Sequence, residues 1–322
     1  MTVKSKILEL FEQHKGEVIS GEAIAGQLGC TRAAVWKAVK SLREEGYRIE
    51  AGPNRGYTLA RDTNRISAEG IRPYLDNQKA VVQVYNEVGS TNQAAKKMAI
   101  GGLAGHGSFV VARSQSEGRG RRGRKFYSPA DSGLYFSVVL EPKGTLKDNL
   151  LLTTAAATAV YRAVSRLCGI SLDIKWVNDL FYRGKKVCGI LTEAVTDFES
   201  GEIEFAVVGI GMNLYRNSEN FPEELEEIAG GLFASEKEAE TVDRNQLIAS
   251  VVNELLAETE DLKLSSEYVE NNIIPGHTIT IEDGTRTRRA FAMSICPDGR
   301  LLVKETNGKE SVLSFGEVSI SI

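Results

Sequence analysis

Between two apolar runs that read as β-strands, Ser108–Ala112 and Leu134–Leu140, lies the segment Gly118-Arg119-Gly120-Arg121-Arg122-Gly123-Arg124-Lys125-Phe126-Tyr127-Ser128-Pro129. From Arg113 to Lys125, six basic residues (Arg113, Arg119, Arg121, Arg122, Arg124, Lys125) stand against one acid, Glu117, a local charge of +5 in a chain of net charge −4. Such a loop repels itself and favours an anion. Its three glycines let the backbone fold closely around a ligand and add nothing to a core, so without a ligand the loop is expected to be mobile. Two readings are open: a solvated or RNA-binding arginine-rich loop, or a phosphate site. Because the loop interrupts a sheet and is not a low-complexity tail, a ligand site is favoured.

A chain of 322 residues has room for two or three domains. No apolar run is long enough to span a bilayer, and Met1-Thr2-Val3-Lys4 does not open a signal peptide, so a cytoplasmic protein is expected. Cys30, Cys168, Cys188 and Cys296 are widely spaced, which points to neither a disulfide scaffold nor a zinc site. Three scattered histidines (His14, His106, His277) leave little material for a Ser-His-Asp triad.

Toward the N-terminus, Ile7, Leu8, Leu10 and Phe11 are at helical spacing. Ser20 caps a second helix that Gly29 stops, and Thr31 caps a third that Gly46 closes. On this third helix Ala34, Val35, Ala38, Val39 and Leu42 form one face, and Arg32, Trp36, Lys37, Lys40 and Arg43 the other. Tyr47–Glu50 and Tyr57–Leu59, joined by Gly52-Pro53-Asn54-Arg55-Gly56, read as a hairpin. The pattern is that of a winged helix-turn-helix over residues 1–62 whose basic face contacts DNA. Ten Lys/Arg against eight Asp/Glu there make charge alone undecided against a protein-interaction module, and the segregated faces favour DNA.

Beyond a polar linker, Ser67–Leu75 reads as a short helix and Val81–Tyr85 as a strand, and Ser90-Thr91-Asn92 opens a helix carrying Ala94, Ala95, Met98 and Ala99. The helix from about Asn149 to Cys168 is alanine- and leucine-rich and is expected on a sheet. Ile174–Leu180, Val187–Ala194 and Phe205–Asn213 follow as strands. Ordinary nucleotide motifs fail: Leu214 replaces the third glycine of a dinucleotide fingerprint, and Arg124 stands where a P-loop requires lysine. Residues 219–240 carry eight acids (Glu219 among them) against Lys237 and read as a solvated face. Asp243-x-x-Gln246 opens a helix, Ser265–Asn272 reads as a short one, and four strands follow: His277–Glu282, Thr287–Ile295, Arg300–Glu305 and Ser311–Phe315.

Gly89-Ser90-Thr91-Asn92, Gln115 with the Gly118–Lys125 loop, Ser128-Pro129, Lys175-Trp176-x-Asn178-Asp179, Lys186-x-x-Gly189-Ile190-Leu191-x-Glu193 and Gly209-x-Gly211-x-Asn213 together resemble the bifunctional biotin protein ligases that double as biotin operon repressors. The resemblance covers essentially the whole chain. It implies an α+β protein: a winged helix-turn-helix (1–62), a ligase domain with a mixed sheet and packed helices of class II synthetase-like type (66–272), and a small SH3-like β-barrel (273–322). Ser90, Thr91, Asn92, Gln115, Arg119, Gly120, Arg121 and Lys186 would contact biotin; Arg121, Arg124, Phe126, Asn178, Asp179 and Asn213 would serve ATP and the adenylate. Lys186 and Arg121 would be catalytic, and Asp179 would hold Mg²⁺. Phe126 and Val177 depart from residues common in relatives, Trp and Pro respectively. The implied partners are a biotin carboxyl carrier lysine, operator DNA, and a second copy of the chain once biotinyl-5′-AMP binds as corepressor. A purely ligand-sensing repressor and a non-specific nucleic-acid-binding protein are the other classes.

Overall fold

The computed structural model describes residues 2–52, 56–142, 149–196, 203–216, 221–283, 286–314 and 316–320. Pro53-Asn54-Arg55 of the predicted turn, Glu219, Gly284 and Phe315 lie outside the described residues. The chain divides into two compact units, Met1–Gln78 with Glu240–Ser250, and Lys79–Ala239 with Val251–Ile322.

In the first unit, α1 (Val3–Gln13), α2 (Gly21–Leu28) and α3 (Arg32–Glu44) begin at Thr2, Ser20 and Thr31, whose side chains accept from backbone N–H groups three residues on. Gly29 ends α2 in the left-handed region, at φ 61°. Ile7, Phe11, Ile24, Val35, Val39 and Leu42 form the core with Leu59 of the wing, whose strands are β1 (Ile49–Gly52) and β2 (Gly56–Leu59). Ala34 is only half-buried. Ile19 pairs with Tyr57 through two 2.9 Å backbone bonds, an isolated bridge that one residue's sequence could not announce. Ser67–Leu75 divides into a single turn, α4 (Ala68–Ile71), and a 3₁₀ turn containing Pro73.

A buried carboxylate makes this unit sensitive to pH. Glu12 is 8% exposed, and its Oε1 has no hydrogen-bond partner. Burial pushes its carboxyl up to about 7 from 4.5; Lys15, 3.4 Å away, opposes the shift, while Asp243 and Glu69 add to it. A carboxyl raised on folding binds its proton more tightly in the native state. Its stabilising contribution is therefore full below about 4.5 and is lost as pH rises through about 7. The difference is on the order of 3 kcal/mol. Glu12→Gln, which cannot titrate, is expected to flatten the dependence of the unit's melting midpoint on pH between 5 and 8. An unchanged slope would contradict this.

The second unit is built on a seven-stranded mixed sheet. Its strands are β3 (Val82–Val88), β4 (Phe109–Gln115), β5 (Gly133–Leu140), β6 (Asp173–Lys175), β7 (Asp179–Tyr182), β8 (Lys185–Thr196) and β9 (Ile203–Asn213), in the order β3-β4-β5-β9-β8-β7-β6. Only β3 and β4 are parallel. Every residue of β5 is buried, which is why it reads as a continuous apolar run. Helix α5 (Thr91–Ile100) packs Ala95 and Met98 on Val110, Val139 and Val207, and α6 (Asn149–Cys168) contacts β8, where Thr153 and Thr192 bond at 2.8 Å. The alanines of α6, fully buried at 156, 157, 159 and 163, let it approach the sheet closely.

The predicted strand Ile174–Leu180 is instead a hairpin, with Ile174 opposite Leu180 and Lys175 opposite Asp179. Distant contacts impose the turn. Trp176 Nε1 donates to Gly299 O at 2.9 Å, Tyr268 Oη donates to Val177 O at 3.0 Å, and the Ile190 amide donates to Asn178 O at 2.9 Å. The chain then forms α7 (Glu236–Ala239), α8 (Arg244–Glu260) and α9 (Ser266–Glu270), the second capped by Asp243 Oδ1 as predicted. A five-stranded antiparallel sheet follows: β10 (Thr278–Asp283), β11 (Arg286–Ile295), β12 (Leu301–Glu305), β13 (Glu310–Leu313) and β14 (Glu317–Ile320), ordered β13-β12-β11-β10-β14. The last strand was not legible, because only Val318 of it is buried among its described side chains.

Candidate active site

The arginine-rich segment folds back on itself. Arg119 pairs with Lys125, the Gly120 amide donates to Arg124 O at 2.8 Å, and Arg121–Gly123 makes a 3₁₀ turn with Arg122 at φ 57°. Beneath it is a cavity of about 310 Å³. All the residues the resemblance assigns to biotin or nucleotide line it: Ser90, Thr91, Asn92, Gln115, Arg119, Gly120, Arg121, Arg124, Phe126, Asn178, Asp179, Lys186 and Asn213. They come from the start of α5, the end of β4, the loop, the β6–β7 turn and the strands β8 and β9. The predicted DNA-contacting residues Arg32, Trp36, Lys37, Lys40 and Arg43 are all exposed on α3. Lys40 lies 5.8 Å from the Trp36 ring centroid, and Arg43 Nε donates to Ile49 O at 2.7 Å, which commits part of that side chain to the wing.

Within the cavity the polar groups form two sets. In the first, Gln115 Oε1 accepts from the Thr91 amide at 2.8 Å and the Thr91 hydroxyl at 3.0 Å, while Gln115 Nε2 donates to Ser128 Oγ at 2.9 Å. The second is ionic. Lys186 Nζ is 2.6 Å from Asp179 Oδ1, Asn178 Nδ2 donates to that oxygen at 3.0 Å, and Arg121 Nη1 donates to Asn178 Oδ1 at 3.0 Å. Cations thus converge on one turn, positioned to receive an anion. With its amide turned over, Gln93 presents its side-chain oxygen to both terminal nitrogens of Arg119, at 2.8 and 2.7 Å. Gln93 was not anticipated, although it directly follows the Ser-Thr-Asn run.

The pair Gly209-x-Gly211 clears space. A Cβ at Gly209 would lie 2.0 Å from Asn92 Oδ1, and one at Gly211 would lie 2.5 Å from the Phe126 ring. Phe126 therefore rests on the bare backbone of the sheet, edge-on to Tyr135 with centroids 6.4 Å apart. Asn213 Nδ2 donates to Gly230 O at 3.1 Å, so its side chain holds the neighbouring segment.

That segment includes the acidic run. Its described glutamates, Glu223, Glu224, Glu226 and Glu227 in particular, are exposed as expected, but Phe221, Leu225, Ile228 and Ala229 line the cavity. Backbone bonds from the Lys186 amide to Ile228 O (2.8 Å) and from the Gly230 amide to Lys186 O (2.9 Å) fasten it beside the ion pair. The high charge of the run conceals these apolar residues in the sequence.

No histidine lines the cavity, and burial pushes the Cys188 thiol well above its ordinary range, so neither supplies a nucleophile. Asp179 is the one carboxylate among the lining residues, and no group of three or more His, Cys, Asp or Glu capable of holding a metal occurs among the described residues. One carboxylate makes no protein cage, so a metal here would need most of its ligands from a bound molecule. No helix of the described chain is long and apolar enough to cross a membrane.

Comparison with known proteins gives two family matches: the biotin/lipoate A/B protein ligase family over residues 86–213, and an HTH domain over residues 3–58. The bifunctional ligase/repressor BirA of Bacillus subtilis (strain 168) is 33% identical, with 97% of each chain covered. The protein of the same name from Escherichia coli (strain K12) is 31% identical over 80% of this chain and 77% of its own. Among solved structures, the biotin protein ligase from Aquifex aeolicus in complex with biotin and ATP superposes with a TM-score of 0.59 at 25% identity, covering 75% of this chain and 99% of that one.

Proposed function

The chain belongs to the bifunctional ligase/repressor BirA family, and on that premise we propose that it activates biotin with ATP, transfers it to a lysine of a biotin carboxyl carrier domain, and represses transcription with biotinyl-5′-AMP as corepressor. The observation that carries the ligase reading is the ionic set Lys186–Asp179 and Arg121–Asn178, in the same cavity as the Thr91–Gln115 set. In the first step the biotin carboxylate attacks the α-phosphorus and pyrophosphate leaves. Two anions have to meet, so the protein needs fixed cations and positioning rather than a nucleophile of its own. Lys186 bridges the carboxylate and the α-phosphate, and Arg121 and Arg124 grip phosphate oxygens. Mg²⁺, held by Asp179 and phosphate oxygens, would further neutralise the phosphates. In the second step the acceptor amine attacks the acyl carbon and AMP leaves.

Ser90, Thr91, Asn92, Gln115, Arg119 and Gly120 enclose biotin, while Phe126, Asn178 and Asn213 border the nucleotide. The α3 face of Arg32, Trp36, Lys37, Lys40 and Arg43 enters a major groove, and adenylate binding promotes a homodimer that spans paired operator half-sites. The ligase sheet is of class II synthetase-like type, the C-terminal sheet is an SH3-like barrel, and the protein is cytoplasmic. Two assays test the dual function. Incubation with a biotin acceptor domain and ATP should yield a streptavidin-reactive band, and operator DNA should shift in a gel more strongly when biotin and ATP are present. A shift indifferent to both ligands would contradict the corepressor role.

A further inference from the structure

Two residues outside the cavity control its Thr91–Gln115 end. Asn92 Nδ2 donates to Glu193 Oε2 at 2.7 Å and to Leu191 O at 3.2 Å. Both partners only accept in their ordinary states, so the amide is fixed with Oδ1 turned the other way. There it meets the hydroxyl of Ser137, fully buried on β5, at 2.7 Å, and Ser137 Oγ is also 2.8 Å from Thr91 Oγ1. Gln115 Oε1 is fixed in turn by the Thr91 amide.

The result is a chain of four oxygens, Asn92 Oδ1, Ser137 Oγ, Thr91 Oγ1 and Gln115 Oε1, with an acceptor at each end. Its three contacts, 2.7, 2.8 and 3.0 Å, share two hydroxyl hydrogens. The chain is one hydrogen short and gains from an N–H donor brought by a ligand. Neither Glu193 nor Ser137 lines the cavity, and both act through Asn92 and Thr91.

We infer that Glu193 and Ser137 are positioning residues that hold the Thr91 end of the cavity as a hydrogen-bond acceptor, and so set its affinity for a ligand carrying an N–H group. This inference rests on the reading of biotin, whose ureido ring carries such groups, as the ligand. A glutamine at position 193 has the same shape but can donate to Asn92. Where that glutamine donates, Asn92 turns over at the loss of its bond to Leu191 O, donates to Ser137, and gives each contact its hydrogen.

The test uses the full chain, with biotin titrated calorimetrically without ATP and pyrophosphate exchange measured as a function of biotin. Glu193→Gln and Ser137→Ala are each expected to raise the biotin Kd and KM by roughly tenfold, with kcat at saturating biotin retained. Glu193→Asp, which keeps the carboxylate, is expected to recover part of the affinity. Wild-type affinity in Glu193→Gln overturns the positioning role alone. A loss of kcat accompanied by a lowered melting midpoint overturns it in favour of simple structural support. Absence of biotin binding by the unmutated protein overturns it together with the reading on which it rests.

Discussion

Lys186→Ala is expected to lower biotin-dependent adenylate formation by on the order of a thousandfold while the fold is retained. The backbone of Lys186 bonds Ile228 and Gly230, and an alanine keeps both bonds. What is lost is the ammonium group 2.6 Å from Asp179, a partly exposed cation in the cavity that Leu225, Ile228 and Ala229 also line. Without it, Asp179 adds a negative charge to a site where a carboxylate must approach a triphosphate. Pyrophosphate release and circular-dichroism melting measured on the same preparation separate chemistry from folding. Pyrophosphate release at the wild-type rate would remove Lys186 from the catalytic role.

Arg121→Gly is expected to speed the escape of biotinyl-5′-AMP by roughly ten- to a hundredfold, since a charged hydrogen bond is lost. The guanidinium donates to Asn178 and ties the loop to the β6–β7 turn. Glycine removes that tie and adds backbone freedom to a turn already rich in glycine. An exposed acyl-adenylate meets water, so a loop that stays closed protects it as well as retaining it. Filter retention of radiolabelled adenylate provides the check, and retention equal to wild type would show that Arg121 does not hold the loop shut.

Local chemistry made much of the fold legible. The caps Thr31, Ser20 and Asp243 and the stop at Gly29 fixed helix ends, because side chains there answer backbone groups a few residues away. The basic and apolar faces of α3 separated cleanly because one packs and the other does not. What stayed hidden depended on distant partners. The β6–β7 turn is imposed by Gly299, Tyr268 and Ile190, and the Ile19 bridge by Tyr57. The site residues were recognised as a set only through motif order, which the cavity then brought together. Glu193 stood in the motif that begins at Lys186 but without a role, and Ser137 could not be singled out, since a serine in a buried strand carries no mark of the asparagine it faces. The two glycines of β9 were a weak signal in isolation, with Leu214 in place of a dinucleotide fingerprint's third glycine, and their bare faces accommodate Asn92 and Phe126.

The central claim is that the cavity beneath the arginine loop joins biotin to the α-phosphate of ATP. Isotope exchange between pyrophosphate and ATP tests it most directly, because it reports the first step without an acceptor protein. Exchange that requires biotin and disappears in Lys186→Ala is the expected result. Exchange absent with biotin present, or proceeding equally without it, would contradict the claim.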